Sequence, residues 1–429
     1  MDYLSSNKVA VIDLATSEIE EQELEEELVR EHIGGAGITS ALYERFEAEE
    51  PIALGAGLLT GTLVPGSALA VMTAKNPHTG NKCHVPITLD AGMELKYSGF
   101  DYLVIKGKSQ VPVYLWIHDG ITDIRDAKDL WGKDVWAATD HVREYMGDKL
   151  IQVLGIGKAG ESRSNLACVC VNYWHGGDRT GLGMRFGEKN LKLVALRGMG
   201  LLEIAEPDGF VAQCAELLTA FKSGGKAGNL GIAEMAVTMG GEDLRDWLHP
   251  LVHRHMACFN TPFATNTFVF LNESPEFLKE SAVTEPGFLI SDLYPLAIYE
   301  KLGLTASDAC GLLRDCAKYG LDGAAVAFLS RNIGLKDPKA IRDAMAGMKG
   351  PVPTAGTSVF SEWASVGKQE PDDWKRRQAV AYLFGIHPIY ALMAPELSEE
   401  KLLDLANLGT GLDFTQKTLD QAVERIMEG

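Results

Sequence analysis

The sequence predicts an α+β protein whose N-terminal part is mainly β and whose C-terminal part is mainly α-helical. Short β-like runs between Gly, Pro, Asn and Asp clusters fill the first two hundred residues, and helical periodicity dominates the remainder. The pattern changes after IAEPDGF, near residue 205. Since 429 residues exceed what one domain usually holds, we expect two or three domains.

Seven runs in the first part predict strands. They are rich in β-branched and aromatic residues, and turn-forming residues bound them at short intervals, which is typical of a largely β domain. In chain order they are NKVAVIDLA, SALAVMTAK, DYLVIKGK, VPVYLWIH, LIQVLGIG, LACVCVNYW and LKLVALRG. We place the first domain at residues 1–205. No repeat of fixed period stands out along the chain.

The second part predicts helices that begin at Ser or Asp and end at Gly. The helical period is found in GFVAQCAELLTAFKSG, ASDACGLLRDCAKYG, DPKAIRDAMAGMKG and SEEKLLDLANLGTG. The Pro/Gly/Ser-rich stretch GMKGPVPTAGTSVFSEW predicts a connector between helical regions. We therefore expect a helical domain at 206–347 and a shorter C-terminal helical domain at 348–429.

The charge of the chain argues against a nucleic-acid or anionic-membrane surface. With 40 basic and 59 acidic residues the net charge is -19, so there is no basic excess to displace counterions. The first residues lack a basic region followed by an apolar core, and no window reaches the length of a membrane span. We expect a cytoplasmic protein with protein partners.

The seven cysteines indicate reduced, mostly buried thiols. Their number is odd and no CxxC pair occurs, so neither a disulfide framework nor a zinc ribbon is indicated. Cys168 and Cys170 lie on one face of a predicted strand because side chains repeat with period two. Cys310 and Cys316 fall in a predicted helix.

A GxGxxG spacing occurs in LIQVLGIGKAGE, at Gly155, Gly157 and Gly160. A dinucleotide-binding turn must open a helix whose N–H groups meet the pyrophosphate. The following residues, SRSNLACVCVNYW, are strand-like instead. The spacing therefore does not predict nicotinamide binding.

The stretch WLHPLVHRHMAC contains three histidines and one cysteine within ten residues: His249, His253, His255 and Cys258. His249 and His253 could share a helical face toward zinc. Pro250 disfavours an uninterrupted helix, and the carboxylate of an HExxH motif is absent, so solvated or capping histidines are the simpler interpretation.

The most informative stretch is GGDRTGLGMRFGEKNLKLVALRG, residues 176–198. Glycines bring backbone N–H groups close to a ligand, and Arg179, Arg185, Lys189 and Lys192 add positive charge, which suits phosphate oxygens. A Gly-rich hairpin with solvated basic residues would produce the same spacing.

Several motifs in fixed order resemble the aldehyde ferredoxin oxidoreductase family of tungsten-pterin enzymes. They are HIGGAGITSALYE, GLLTGTLVPGSALAVMTAKNPHTG, GMELKYSGFDYLVIKGKSQVPVYLWI, IGKAGESRSNLACV and above all GDRTGLGMRFGEKNLKLVALRG. Farther on, LGLTASDACGLLRDCAKYGLD resembles the helix that ends in the family's GLD pterin-binding motif, here Gly320, Leu321 and Asp322. The C-terminal LSEEKLLDLANLGTGLDFTQKTLDQAVERI is similar to the family's last helices.

The resemblance implies a cofactor set and a reaction. It implies tungsten held by the dithiolenes of two pterins, a nearby Fe4S4 cluster, and oxidation of an aldehyde to a carboxylic acid with electrons passing to ferredoxin. It also implies an N-terminal β domain as a base for the pterins, followed by two mostly helical domains. The predicted cofactor-binding residues are Arg179, Gly181, Gly183, Lys189, Asn190, Gly320 and Asp322.

The sequence differs from the family at the positions that would bind the Fe4S4 cluster. The family's CxxCxxxC run with a distant fourth cysteine aligns here with Cys258, Thr261, Thr265 and His387. An Fe4S4 cluster normally takes four thiolates, and threonine hydroxyls are poor substitutes. We therefore expect no Fe4S4 cluster and no metal at this loop.

The pterin side also departs from the family. Tyr382 stands where a carboxylate is expected, Leu69 replaces a phosphate-binding arginine, and Pro86 replaces an asparagine. The chain after Asp322 is shorter than in the family, and the segment with the active-site histidine has no counterpart. Glu276 and Asp292 are the nearest carboxylates to the expected glutamate, so no catalytic residue is assigned.

Three functions follow from this pattern. The first is a degenerate, non-catalytic subunit of a redox enzyme complex, bound to a longer catalytic relative or a ferredoxin-like protein. The second is a working tungstopterin oxidoreductase of anaerobic metabolism that oxidises an aldehyde-type substrate and passes electrons to a partner's cluster. The third is a small-molecule binding module that uses the cofactor cleft.

Overall fold

The N-terminal part of the molecule is built from two six-stranded sheets. The structure is a computed structural model and describes residues 3–223, 242–262, 264–271, 287–350, 373–387 and 396–428. The first sheet contains β1 (Lys8–Asp13), β2 (Glu18–Glu23), β3 (Ile52–Ala56), β4 (Ala70–Lys75), β5 (Lys82–Ile87) and β6 (Tyr102–Lys106). Their order is β2-β1-β6-β3-β4-β5, with β1 and β6 parallel and the other neighbours antiparallel.

The second sheet repeats this topology strand for strand. Its members are β7 (Val113–His118), β8 (Ile121–Asp126), β9 (Gln152–Gly155), β10 (Cys170–Val171), β11 (Trp174–His175) and β12 (Leu191–Arg197). The order is β11-β10-β9-β12-β7-β8, and β7 and β12 are its parallel pair. A structural repeat is therefore present although the sequence shows none.

The two sheets face each other across an apolar core. Buried residues of β1, β3 and β4 share this core with residues of β7, β9 and β12, which fits the alternation of side chains along each strand. Six helices complete this part: α1 (Glu26–His32), α2 (Gly35–Arg45), α3 (Ala91–Tyr97), α4 (Val135–Met146), α5 (Lys158–Glu161) and α6 (Gly183–Glu188). A short 3₁₀ helix spans Glu47–Glu49.

The remainder is mostly helical, as predicted. Its helices are α7 (Pro207–Ser223), α8 (Glu242–Leu248), α9 (Tyr294–Lys301), α10 (Ala306–Tyr319), α11 (Gly323–Asn332), α12 (Pro338–Met345), α13 (Trp374–Phe384), α14 (Glu399–Thr410) and α15 (Gln416–Met427). The four segments with helical period form α7, α10, α12 and α14. A 3₁₀ turn at His249–Leu251 leads into a small third sheet, which the sequence did not predict: β13 (Val252–Met256), β14 (Asn266–Phe270) and β15 (Gly287–Ile290).

Two separate apolar cores lie in the helical part. Helices α7 and α13 to α15 pack on the outer face of the first sheet, so residues from both ends of the chain share one core. Helices α8 to α12 and the third sheet form the other core. The α+β fold class is confirmed, while the boundaries at 205 and 347 stay predictions; most of the predicted connector, from residue 351 on, lies outside the described residues.

No helix in the described part of the chain is long and apolar enough to cross a membrane.

Candidate functional site

A small cavity lies where the β part meets the helical part. One wall consists of residues that follow β11, including Gly177, Asp178 and Arg179. The opposite wall comes from β15, α9 and the start of α11, including Asp292 and Asp322. The volume is about 30 Å³, enough for one or two water molecules. The structure thus brings Arg179 and Asp322 to one place, and their role in cofactor binding stays a prediction.

Arg179 forms an ion pair with Asp292 across this cavity. The two side chains are only 7% and 20% exposed. The Arg179 guanidinium carbon also lies 5.4 Å from the centre of the Tyr294 ring, within range of a cation–π contact. The guanidinium is therefore held by groups from the helical part.

Asp322 is the N-cap of α11. Its carboxylate accepts a hydrogen bond from the Ala324 N–H at 2.8 Å, which satisfies one of the unpaired donors at the helix start. Burial raises the pKa of Asp322 to about 6, and the nearby Arg179 opposes this shift. Its role in the described structure is to cap a helix.

His175 and Asp178 also line the cavity, although neither was among the site residues predicted from the sequence. His175 Nε2 lies 2.9 Å from the Leu321 carbonyl oxygen, and burial lowers the pKa of this histidine to about 4. Asp178 accepts from the Thr180 N–H at 2.9 Å and from the Val169 N–H at 3.0 Å. The Asp-x-Thr spacing of an Asx turn was the signal for Asp178.

Four predicted ligand-binding residues lie away from the cavity. A Cβ on Gly181 would meet the Asn165 carbonyl oxygen at 2.5 Å, and one on Gly183 would meet that of Cys168 at 2.7 Å. Lys189 donates to the Gly107 carbonyl at 3.2 Å and Asn190 to that of Ser109 at 2.7 Å. These residues hold neighbouring segments of the chain, and burial lowers the pKa of Lys189 to about 8.

The glycines around residue 157 pack against one another. Gly320 ends α10 with φ +76, and a Cβ there would meet the Gly157 nitrogen at 2.5 Å. A Cβ on Gly160 would meet the Gly183 carbonyl oxygen at 2.9 Å. The GxGxxG stretch opens only the four-residue α5 before the next strand. Glycine is therefore required at these positions because neighbouring backbone segments of the chain lie close together.

The loop after β13 contains one buried thiol. Cys258 Sγ lies 3.2 Å from Thr265 Oγ1 and accepts a hydrogen bond from the Asn266 amide at 3.5 Å. Thr261 donates its hydroxyl to the Cys258 carbonyl at 2.8 Å. Burial raises the pKa of the Cys258 thiol, which disfavours the thiolate form that binds metals.

His387 and the Cys258 loop bind the same turn. The Gly66 N–H donates to the Asn260 carbonyl at 3.0 Å, and the Gly66 carbonyl accepts from the His387 N–H at 2.9 Å. His387 is 1% exposed and burial lowers its pKa to about 3. The structure therefore brings together the segments that carry Cys258 and His387.

The remaining substituted positions are apolar packing sites. Leu69 and Tyr382 are fully buried in the core shared by the first sheet and α13. Pro86 lies in β5, opposite Val71. Glu276 lies outside the described residues.

His249 lies in a 3₁₀ turn, whereas His253 and His255 lie in β13, so His249 and His253 share no helical face. His253 packs on the Phe270 ring at 4.0 Å, and His255 Nδ1 lies 3.1 Å from Thr267 Oγ1. Within the residues that the structure describes, no group of three or more His, Cys, Asp or Glu side chains could hold a metal ion.

Neither the Cys258 loop nor the cavity at Arg179 fits the cofactors that the resemblance implies. One thiol with two hydrogen-bonded threonines lacks the four thiolates of an Fe4S4 cluster. A cavity of about 30 Å³ is smaller by roughly tenfold than a pocket that holds a cofactor-sized molecule. Three aspartates also face the one arginine in it, which disfavours the phosphate of a pterin.

The fold has two facing six-stranded sheets as a base for a mostly helical part. Residues 9–198 match the sequence model of the aldehyde ferredoxin oxidoreductase N-terminal domain. Residues 9–198 therefore form the N-terminal domain of this family, and the resemblance found in the sequence is confirmed for this part of the chain.

The relatives it matches are longer. A tungsten-containing aldehyde ferredoxin oxidoreductase of Pyrococcus abyssi is 34% identical over 229 residues, which is 52% of this chain and 38% of the relative. That of Thermococcus kodakarensis is 30% identical over 51% of this chain and 37% of the relative. A WOR-like subunit of an aliphatic sulfonate oxidoreductase of Pyrococcus furiosus is 30% identical over 47% of this chain and 35% of the relative. The matched region is thus about half of this chain and little more than a third of each relative.

A solved structure extends the likeness to the whole fold. The active site complex BamBC of benzoyl coenzyme A reductase, with bound 1,5-dienoyl-CoA, contains a chain that superposes with a TM-score of 0.80. The superposition covers 99% of this chain and 88% of that chain at 18% identity. At this identity the likeness concerns the fold alone.

Proposed function

We propose that the chain is a non-catalytic subunit of a redox enzyme assembly, which keeps the family fold without the family's own electron path. The observation that carries this proposal is the loop around Cys258. In place of further thiolates it has two threonines, each hydrogen-bonded within the loop. A buried metal centre in this chain would therefore have no cluster of its own through which to pass electrons.

The cavity around Arg179 supports the same conclusion. Its arginine is paired with Asp292, Asp322 caps a helix, and the space between them holds only water-sized molecules.

The comparisons support a role as a subunit. One relative is itself called a subunit, of an aliphatic sulfonate oxidoreductase, and the similar fold was solved as part of the BamBC complex. We infer that the partner of this chain is another protein of a redox complex, either a longer catalytic relative or an iron–sulfur protein of the ferredoxin type.

Anaerobic reconstitution with ferrous iron and sulfide tests the cluster loop. The chain, its Cys258→Ser variant and the longer Pyrococcus abyssi relative would be treated in parallel. We expect the relative to gain the broad absorption of a thiolate-bound cluster near 400 nm, and the chain and its variant to remain alike and colourless. A stable cluster in the chain that Cys258→Ser abolishes would overturn the proposal.

Isolation of the tagged chain from the cells that produce it tests the assembly. We expect one stoichiometric complex that contains a longer family member or an iron–sulfur protein, identified by native mass spectrometry. An isolated chain that oxidises an aldehyde with an artificial electron acceptor would contradict the proposal.

A further inference from the structure

The Arg179–Asp292 ion pair crosses the boundary between the β part and the helical part. Arg179 belongs to the loop between β11 and α6, whereas Asp292 lies between β15 and α9. Both side chains are mostly withdrawn from water, so their attraction is only weakly screened. The pair therefore connects the loop after β11, in the β part, with the start of α9, in the helical part.

Asp292 is oriented by the chain that carries it. One carboxylate oxygen, Oδ1, accepts a hydrogen bond from the Tyr294 N–H at 2.9 Å, and the other, Oδ2, faces the Arg179 guanidinium. The Tyr294 ring contacts the same guanidinium. The start of α9 thus presents an oxygen and an aromatic face to Arg179 in a fixed arrangement.

We propose that Asp292 is a built-in oxyanion ligand of Arg179, and that this pair is a latch that holds the two parts together at the cavity between them. An arginine withdrawn from water must be paired with an anion. A carboxylate or phosphate from solution would serve equally well, because both offer oxygens in the geometry of the guanidinium fork. Asp292 occupies the position that such a ligand would take.

A second ion pair in the chain shows what is particular to the latch. Lys192 donates to Glu161 at 2.5 Å, with side chains 0% and 9% exposed. Both residues belong to the β part, so this pair stabilises one core and crosses no boundary. Removal of Asp292, in contrast, should loosen the contact between the two parts.

The test is rescue of Asp292→Ala by formate, which restores the missing carboxylate. We expect the substitution to lower the Tm by roughly 3–5 °C, as for a buried charge left without its partner in a chain of this size. Formate at about ten times its Kd should restore roughly 1–2 °C relative to chloride at equal ionic strength. Amide hydrogen exchange in the segments 176–182 and 287–296 should rise in the variant and fall again with formate.

Three controls isolate the latch. The wild-type chain should not respond to formate, because its site is filled. Asp148→Ala removes the carboxylate of an arginine pair that is 24% and 35% exposed, and should not respond either. Arg179→Met combined with Asp292→Ala removes the anion position and should abolish the formate response.

The outcomes decide the proposal. A variant Asp292→Ala with the stability of the wild-type chain, or a double variant that still responds to formate, would overturn it. If Asp292→Ala does not fold, Asp292→Asn replaces it, because asparagine keeps the side-chain shape and the acceptor for the Tyr294 N–H. Unchanged hydrogen exchange at 176–182 in Asp292→Asn would also overturn the proposal. A formate response would stand whatever metals the purified chain contains, because it depends only on these two side chains.

Discussion

Replacement of Asp322 by asparagine should stabilise the protein at neutral pH. The carboxylate has an ordinary pKa of 3.8, and burial raises it to about 6. This difference corresponds to roughly 3 kcal/mol that the ionised group costs the folded state. Because the folded chain holds the proton more tightly than the unfolded chain, stability falls as the pH rises from about 4 to about 6 and stays lower above it. Asparagine carries no charge and still offers an oxygen to the Ala324 N–H.

The assay is urea unfolding of the wild-type chain and Asp322→Asn at pH 4 and pH 7.5. We expect the variant to be more stable by up to roughly 3 kcal/mol at pH 7.5 and nearly equal at pH 4, where both side chains are neutral. The other charged or titratable groups that face the cavity titrate in both proteins and cancel in the difference: His175, Asp178, Arg179 and Asp292. A variant that is less stable at pH 7.5, or shows the same difference at both pH values, would refute the reasoning and indicate that the carboxylate is needed in its ionised form.

Three further predictions concern other parts of the molecule. Gly385→Ala should destabilise the chain by several kcal/mol in urea unfolding, because Gly385 has φ +82 and a Cβ there would overlap Thr60 and Gly57. The control Gly80→Ala, where φ is +77 and the surrounding space is open, should cost only about 1 kcal/mol. Equal losses of stability in the two variants would contradict this packing. Cys258→Ala should lower the unfolding free energy by about 1–2 kcal/mol through the loss of buried contacts with Thr265 and Asn266 and leave the iron content unchanged, which elemental analysis would check. Burial lowers the pKa of His84 to about 3, so its neutral ring contributes stability that is lost as the pH falls from about 6.5 toward 3. In His84→Gln the Tm, measured by thermal unfolding, should therefore fall less over this pH range. An unchanged dependence of the Tm on pH would show that the ring is not responsible.

The order of β and α parts could be predicted because apolar alternation and helical period are properties of short segments. All seven predicted runs contain strands, and all four predicted helical segments are helices. The predicted runs did not include β2, β3, β5, β8, β13, β14 and β15. Among these, β2 reads EIEEQE and is an exposed edge strand, and β13 reads VHRHM and is only partly buried. In contrast, β3 (IALGA) and β15 (GFLI) are short and fully buried, so their apolar residues show no alternation. The shared topology of the two large sheets leaves no period in the sequence, because pairing depends on strand order and not on residue identity.

The contents of the candidate site could be predicted only in part. The motifs indicated Arg179 and Asp322 separately, and the absence of further cysteines around Cys258 was visible in the sequence. The pairing of Arg179 with Asp292 depends on how distant segments pack, so local patterns do not contain it. The sequence also does not distinguish a glycine that lets a ligand approach the backbone from a glycine that lets another chain segment approach it. The structure distinguishes them by contacts such as that of Gly183 with Cys168.

The tungsten and iron content of the purified chain tests the central claim most directly. The chain would be isolated anaerobically from cells that load the longer tungsten relatives, with one of those relatives as the positive control. Thr261 and Thr265 in place of thiolates, together with the small cavity at Arg179, predict neither metal in stoichiometric amount. One tungsten per chain, or about four irons with the absorption of a thiolate-bound cluster, would contradict the account.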